Sequence, residues 1–417
     1  MASESQLRLH FPSMKLRSIT TLPDLKGKRV LVRVDHNVET DLSGKLKDDR
    51  KLRVTLPTIE ALLKKGARLI LMTHIGRPKG KVVENLRTAK VAKHLQTMSK
   101  KIKAVKTVPD AVGSAVQKEA EDLRDGEILY LENVRFFPGE EKNDPAFCKA
   151  LASLADFYVD EAFPSLHVYE ESSTCGVARL LPAYAGVQIV KEVQYLGGIL
   201  EDPRRPLLLI MSGAKMETKI PVINRFLELA DDILLGGCIA NTFIAARGFD
   251  VGASKYEEDQ LELAQEMMLE SEKEGRAKIH VPRDAVVASE LSEKATKLDL
   301  PVEDITGDMS IYDVGKVSLE RYKKEVVRAG TIIWNGPLGY YELNRFSHGT
   351  KRLAEAIRAA TKKGATSVIG GGDTLDFHIR YGHPLDAYTF VSTGGGAMLE
   401  FLSSRAPLPA LVPLLDR

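Results

Sequence analysis

The sequence predicts an α/β protein of two domains, each a parallel sheet covered by helices. Three observations predict it. The chain has 417 residues, more than one ordinary core accommodates. Short β-branched and apolar runs alternate with longer helical patterns throughout, as strand–helix–strand units require. Midway, Glu201-Asp202-Pro203-Arg204-Arg205-Pro206 breaks that pattern with two prolines in a charged stretch, which marks a boundary.

The candidate strands of the first half are Arg29–Val34, Arg68–Met72, Ile128–Leu131 and Phe157–Val159. Those of the second are Leu207–Met211, Ile233–Leu235, Lys278–Val281, Thr331–Trp334, Thr366–Ile369 and Thr389–Val391. Between the halves, Tyr184 to Leu200 reads as one helix. The expected division is an extension over residues 1–15, a domain over 16–183, a joining helix over 184–202, a domain over 203–405 and a tail over 406–417. The tail opens Ala406-Pro407-Leu408-Pro409, too proline-rich to continue a helix, so it is expected to fold back on another element.

Composition narrows the partners. A formal charge of +2 is nearly neutral and argues against a nucleic-acid or membrane surface as the main partner, so any basic site is local. No apolar run reaches the length of a membrane span. Cys148, Cys175 and Cys238 lack the spacing of a zinc site or disulfide framework, which suits a reducing compartment. Residues 1–15 carry Glu4 as their only acid beside Arg8 and Lys15; a targeting segment would fit, and a short extension is the reading adopted. The expectation is a cytoplasmic monomer.

Two glycine clusters carry the strongest chemical signal. A strand runs into Gly370-Gly371-Gly372-Asp373-Thr374, and another into Ser392-Thr393-Gly394-Gly395-Gly396, each followed by a helix. Glycines let several backbone N–H groups converge on one anion, and a helix N-terminus adds its dipole. Asp373 stands where a phosphate-bound Mg²⁺ would need a carboxylate. Neither cluster matches the P-loop or the dinucleotide fingerprint.

Ligands of open parallel sheets bind beyond the carboxyl ends of the strands. In the first half those ends offer Asp35 and Asn37, His74 and Arg77, and Asn133 and Arg135; in the second, Gly213-Ala214-Lys215, Gly236-Gly237, Asn335-Gly336-Pro337 and the glycine clusters. Arginine and histidine suit a small anion, glycine and lysine a polyphosphate. A kinase with substrate and nucleotide on opposite domains follows, its closure expelling water before transfer. Several single residues stay open between roles. Asp35 and Asn37 fit a structural turn as well as a site, His74 a turn cap, and Glu342 an exposed carboxylate as well as a ribose ligand. Lys215 and Lys219, four apart, would share a helix face; function is favoured for Lys215 and undecided for Lys219. The absence of an evident base–nucleophile pair suits transfer to a carboxylate, which needs no deprotonation.

The segments Val30–Val38, Leu71–Gly80, Leu131–Phe136, Ser212–Lys215, Trp334–Gly339, Gly370–Thr374 and Ser392–Gly396 together resemble those of phosphoglycerate kinase, in order and spacing, from about residue 15 to the end. The resemblance implies two Rossmann-like domains joined by a hinge helix, 3-phosphoglycerate on the first, Mg·ATP on the second, and a tail returning to the first. It implies substrate contacts at Asp35, Asn37, Lys51, His74, Arg77 and Arg135. It implies nucleotide contacts at Gly213, Ala214, Lys215, Lys219, Gly236, Gly237, Asn335, Pro337, Glu342, Gly370, Gly371, Gly372, Asp373 and Thr374, with Asp373 on the metal. Catalysis would rest on Lys215 and Lys51 and on the loops of Gly371 and Gly394.

Two departures stand out. Lys51, between Arg50 and Arg53, takes the position of a family arginine and lacks its planar fork. Val168 takes that of another, with Glu170 and Glu171 close by. Ser212 and Cys238 replace family glycines. A catalytically weakened homologue with a regulatory role is the alternative these departures raise. A dehydrogenase would need a dinucleotide fingerprint after the first strand, which is missing.

Overall fold

The structure, a computed structural model, describes residues 14–41, 45–168 and 171–416. The chain divides into two compact units, residues 195–405 and the remainder, which comprises the first part of the chain and residues 406–416. Of the expected extension only Met14 and Lys15 are described.

The N-terminal unit is built on a six-stranded sheet. Its strands are β1 (Arg29–Arg33), β2 (Arg68–Met72), β3 (Ala104–Thr107), β4 (Glu127–Tyr130), β5 (Phe157–Asp160) and β6 (Ala183–Ala185). They are parallel throughout in the order β3-β4-β2-β1-β5-β6. β1 and β2 lie at the centre and bury four consecutive residues each, as strands covered on both faces must. Helices Arg50–Lys64 and Ala89–Met98 contribute Leu52, Ile59, Leu62, Val91 and Leu95 to the same core as Val30, Val32, Leu69 and Leu71. The tail belongs to this unit: Leu415 bridges Leu16, and the Ala410 N–H donates to the Leu166 carbonyl at 3.3 Å.

The C-terminal unit has a second six-stranded parallel sheet and a small antiparallel one. The strands are β7 (Leu207–Ser212), β8 (Asp232–Gly236), β9 (Lys278–His280), β10 (Asp284–Ala288), β11 (Leu298–Pro301), β12 (Ser310–Val314), β13 (Thr331–Asn335), β14 (Thr366–Gly370) and β15 (Phe390–Val391). The large sheet runs β15-β14-β13-β7-β8-β9 and the small one β11-β10-β12. Trp334 is fully buried and shares a core with Tyr322, Ile357 and Phe377.

Three expectations are corrected. The joining helix spans Val187–Glu201, because Tyr184, expected to open it, pairs with β5 as part of β6. β1 ends at Arg33, one residue before the expected Val34, and Asp35 and Asn37 occupy the loop beyond it, where the Asn37 N–H donates to Asp35 Oδ1 at 3.3 Å. Lys215 and Lys219 share no helix face, because the helix starts at Ile220, with Pro221 in its first turn. Among the described residues no helix is long and apolar enough to cross a membrane.

Candidate functional site

Each unit gathers a cluster at the carboxyl ends of its strands. In the N-terminal unit the centre is His74, just beyond β2. Burial pushes its imidazole far below the usual range, and Arg33, Arg135, Lys51 and Arg77, all within electrostatic reach, push it the same way. The ring is therefore neutral. Arginine can only donate, so the 2.7 Å contact from Arg33 Nη2 makes His74 Nδ1 the acceptor and leaves the proton on Nε2. Asn37 Nδ2 lies 3.4 Å from that nitrogen, and Asn37 Oδ1 accepts the Gly76 N–H at 2.9 Å.

Arg135 is fixed through Asn133, which caps the short 3₁₀ turn Val134–Phe136. Asn133 Oδ1 accepts the N–H groups of Arg135 and Ile75, at 3.1 and 3.2 Å, and its Nδ2 donates to the Ile75 carbonyl at 2.8 Å. The loops after β2 and β4 are thereby tied into one surface, and the Arg135 guanidinium donates to the Gly76 carbonyl at 3.2 Å.

The cations of this cluster are mostly paired within the chain. Lys51 Nζ lies 2.8 Å from Asp35 Oδ2. Arg135 Nη2 lies 2.5 Å, and Arg33 Nη2 3.7 Å, from the Glu171 carboxylate, which is 1% exposed. Arg77 is exposed and has no partner among the described residues. Flanking Lys51, Arg50 and Arg53 pair with Asp48 and Asp49, both at 2.7 Å. Val168 is half-buried; Tyr169 and Glu170 lie outside the described residues.

Arg33 and Glu171 are the residues whose part in the cluster the sequence reading did not assign. Arg33 is fully buried in a central strand and donates to the Val34 carbonyl, Ser173 Oγ and His74. A charge inside an apolar strand must be paired, and that was the available signal. Glu171 precedes a π-turn, Ser172–Gly176, whose Ser173 also donates to buried Glu140 at 2.5 Å. Burial, and after it the charge of Glu171, pushes the Glu140 carboxyl up to about 7.

In the C-terminal unit a cavity of about 420 Å³ opens beside β7, β8 and β13. Gly213, Ala214, Gly237, Pro337, Glu342 and Asp373 line it, together with the apolar Ile244, Ile311 and Leu338. That mixture suits a flat heteroaromatic base with polar groups at its edge. Gly236 and Asn335, expected in this pocket, do not line it. Gly236 faces Leu338, and buried Asn335 donates to the Gly370 carbonyl at 3.0 Å and accepts a bond from Lys219. At Gly336, with φ +96°, a Cβ would stand 2.2 Å from the Ser212 carbonyl oxygen, so only glycine fits.

The lysines differ. Lys215 is exposed with no partner among the described residues, whereas Lys219 is half-buried at the start of helix Ile220–Leu229. Burial lowers its ammonium to about 8, although the Asp373 carboxylate pulls the other way. Exposed Asp373 lies in the first turn of helix Gly372–Arg380, behind Gly371 at φ +100°. Thr374 instead turns inward and accepts the Gly336 N–H at 2.8 Å. Gly394 donates its N–H to Ser392 Oγ at 3.0 Å and precedes helix Gly396–Ser403. Among the described residues no three His, Cys, Asp or Glu side chains are grouped to hold a metal. A lone carboxylate beside a phosphate cradle fits Mg²⁺ that arrives on a nucleotide, since Mg²⁺ is commonly held by one or two carboxylates and the phosphates themselves.

Comparison with known proteins gives one answer. A model of the phosphoglycerate kinase family matches residues 19–405. The phosphoglycerate kinase of Dictyoglomus turgidum is 43% identical over 394 residues, covering 94% of this chain and 97% of its own. That of Moorella thermoacetica is 44% identical over 399 residues, covering 95% and 99%. Among solved structures, phosphoglycerate kinase from Coxiella burnetii aligns with a TM-score of 0.84 at 35% identity, covering 96% of this chain and 98% of its own. That from Pyrococcus horikoshii gives 0.81 at 30%, with the same coverage.

Proposed function

The chain belongs to the phosphoglycerate kinase family, and from that membership we propose that it transfers a phosphoryl group reversibly between ATP and the carboxylate of 3-phosphoglycerate, giving 1,3-bisphosphoglycerate and ADP in glycolysis and gluconeogenesis. The observation that carries the reading is the pairing of one cationic cluster around neutral His74 with one glycine-lined cavity bearing Asp373. The relatives do not favour the alternative of a regulatory homologue.

In this reading 3-phosphoglycerate binds through Arg77, Arg135, Lys51, His74, Asn37 and Asp35. The nucleotide base enters the cavity, and its phosphates lie toward Lys215, Lys219 and the glycine clusters at Gly370–Thr374 and Gly394. Mg²⁺ bound there offsets charge on the phosphates, and Asp373 is the side chain that would hold it. The acceptor carboxylate is ionised at neutral pH and needs no base, so catalysis reduces to positioning and charge stabilisation. Lys215, unpaired among the described residues, can follow the phosphoryl group. Closure of the units about helix Val187–Glu201 would bring donor to acceptor and expel water. We place the protein in the cytoplasm as a monomer.

The test is a coupled assay on the full chain with Mg·ATP and 3-phosphoglycerate, following 1,3-bisphosphoglycerate through its reduction with NADH. Turnover that depends on both substrates is expected; none at millimolar concentrations of each would overturn the assignment.

A further inference from the structure

We infer that the Glu171 carboxylate is a built-in counter-anion, seated on the guanidinium surface that a substrate anion needs, and that it sets how much negative charge the site accepts. The inference rests on the reading above, in which 3-phosphoglycerate binds this cluster.

The geometry is specific. Glu171 Oε1 takes a 2.5 Å hydrogen bond from Arg135 Nη2, and its Oε2 lies 3.7 Å from Arg33 Nη2. An arginine presents five N–H donors. On Arg135 one already serves the Gly76 carbonyl and one serves Glu171, while Nε faces Glu141 at 3.7 Å without a hydrogen bond. Two of the five donors are therefore engaged and Nε is buried, so an incoming anion meets a guanidinium on which Glu171 already sits.

Glu171 is held as a displaceable anion rather than as a structural one. Its Oε2 is buried and accepts no hydrogen bond from the described residues, whereas Glu140 nearby accepts the Ser173 hydroxyl and N–H. A buried carboxylate with one oxygen unsatisfied is poorly compensated, and an incoming anion that supplies charge to the same guanidinium can take its place. The charge balance points the same way. Arg33, Lys51, Arg77 and Arg135 make four cations, and Asp35, Glu141 and Glu171 subtract three, so the cluster carries one net positive charge toward a ligand that brings about three negative ones. Neutralising Glu171 raises it to two. Asp35 differs from Glu171, because its carboxylate also accepts the Asn37 N–H and so belongs to the loop that presents Asn37.

The experiment is calorimetry on the full chain and on Glu171→Gln and Glu171→Asp, with 3-phosphoglycerate, inorganic sulfate and Mg·ADP as probes. Glu171→Gln is expected to tighten 3-phosphoglycerate about tenfold, equivalent to about 1.4 kcal/mol. Sulfate should tighten less, because it brings less charge, and Mg·ADP should not change. In the coupled assay KM for 3-phosphoglycerate should fall while kcat holds within about twofold. A Glu171→Gln protein that binds Mg·ADP normally and 3-phosphoglycerate no tighter than the parent overturns the inference. So does weaker binding, which would make Glu171 a support for Arg135. Should Glu171→Gln not fold, Glu171→Asp decides, since its shorter arm withdraws the charge from Arg135; about threefold tightening supports the inference and no change overturns it. Tighter binding without turnover in any form would keep the inference and remove the kinase reading. Turnover with unchanged affinity would do the reverse.

Discussion

Lys215 and Val168 are the residues on which the proposed chemistry can be tested most directly. Lys215 is exposed and unpaired among the described residues, beside Gly213 and Ala214 on the cavity wall. An ammonium that gives up no internal bond among the described residues can be repositioned at the cost of side-chain entropy alone, as stabilising a group in flight requires. Lys215→Ala is expected to lower kcat by roughly 10²–10³, the usual loss for one transition-state donor, and to raise KM for ATP far less. Steady-state kinetics would show it; an unchanged kcat would reduce Lys215 to a surface charge. Val168 is half-buried, donates its N–H to the Ser165 carbonyl at 3.2 Å and offers no side-chain donor. Val168→Arg should lower KM for 3-phosphoglycerate about tenfold, the worth of one charge-assisted contact of about 1.4 kcal/mol, with KM for ATP unchanged. Combined with Glu171→Gln the gains should fall short of additive, because a guanidinium at 168 would itself attract the Glu171 carboxylate. At this scale the sequence made legible where Arg77, Lys215 and Asp373 stand, exposed beyond strand ends, and their roles are those proposed above. Arg33 and Glu171 were harder to place, since their parts depend on partners 140 and 36 residues away in sequence.

Legibility among the parallel strands followed burial. The long parallel strands were found to within a residue or two because both faces are covered and the sequence is continuously apolar; β7, for one, buries all six residues. The antiparallel strands were missed. β11 reads Leu-Asp-Leu-Pro and is mostly exposed, and β12 buries only Asp313 and Val314, so neither alternates cleanly. β3 is a half-exposed edge, and β6 is three residues long. The start of helix Val187–Glu201 was misplaced for a reason visible in Glu161. Its carboxylate accepts the Thr58 hydroxyl at 2.7 Å and the Gln188 N–H at 3.1 Å, so a side chain from the loop after β5 caps the first turn from outside the local sequence. Burial outweighs these bonds and pushes the Glu161 carboxyl up to about 8. Its folded pKa exceeds the unfolded one, so its contribution is complete below about 4.5 and is lost as pH rises through about 8. Glu161→Gln should therefore match the parent within about 1 kcal/mol at pH 5 and lose less stability than it between pH 5 and 8. Urea unfolding at the two pH values would measure this, and equal slopes for both proteins would refute it.

Across the whole molecule the buried carboxyls are unevenly divided. In the N-terminal unit burial raises Asp160 to about 6, Glu140 to about 7 and Glu161 to about 8. In the C-terminal unit the one comparable group is Asp313, raised by burial to about 7 despite the Gly349 and Val314 N–H groups it accepts. Each native form binds protons more tightly than the unfolded chain, so each contribution is lost as pH climbs through its folded value. Lys219 acts with the opposite sign. Its pKa is lowered from 10.5 to about 8, so the native state sheds a proton that the unfolded chain keeps, and stability is regained between those values. The two units have separate cores, and the boundary between them falls inside helix Val187–Glu201. Scanning calorimetry of the full chain should accordingly show melting temperature falling from about pH 6.5 to pH 8, above the range in which buried His36 and His74 act the other way, with the N-terminal transition falling further. From pH 8 to pH 10 the Lys219 contribution rises against those of Cys238, Tyr322, Tyr341 and Tyr388, whose raised pKa values act downward, so Lys219→Met should make the C-terminal transition fall more steeply than the parent's. A single transition with one common pH slope would mean that the two units unfold as one body. A C-terminal unit that declines faster than its partner would mean that the buried carboxyls of the arginine cluster are satisfied by their hydrogen bonds rather than strained by burial.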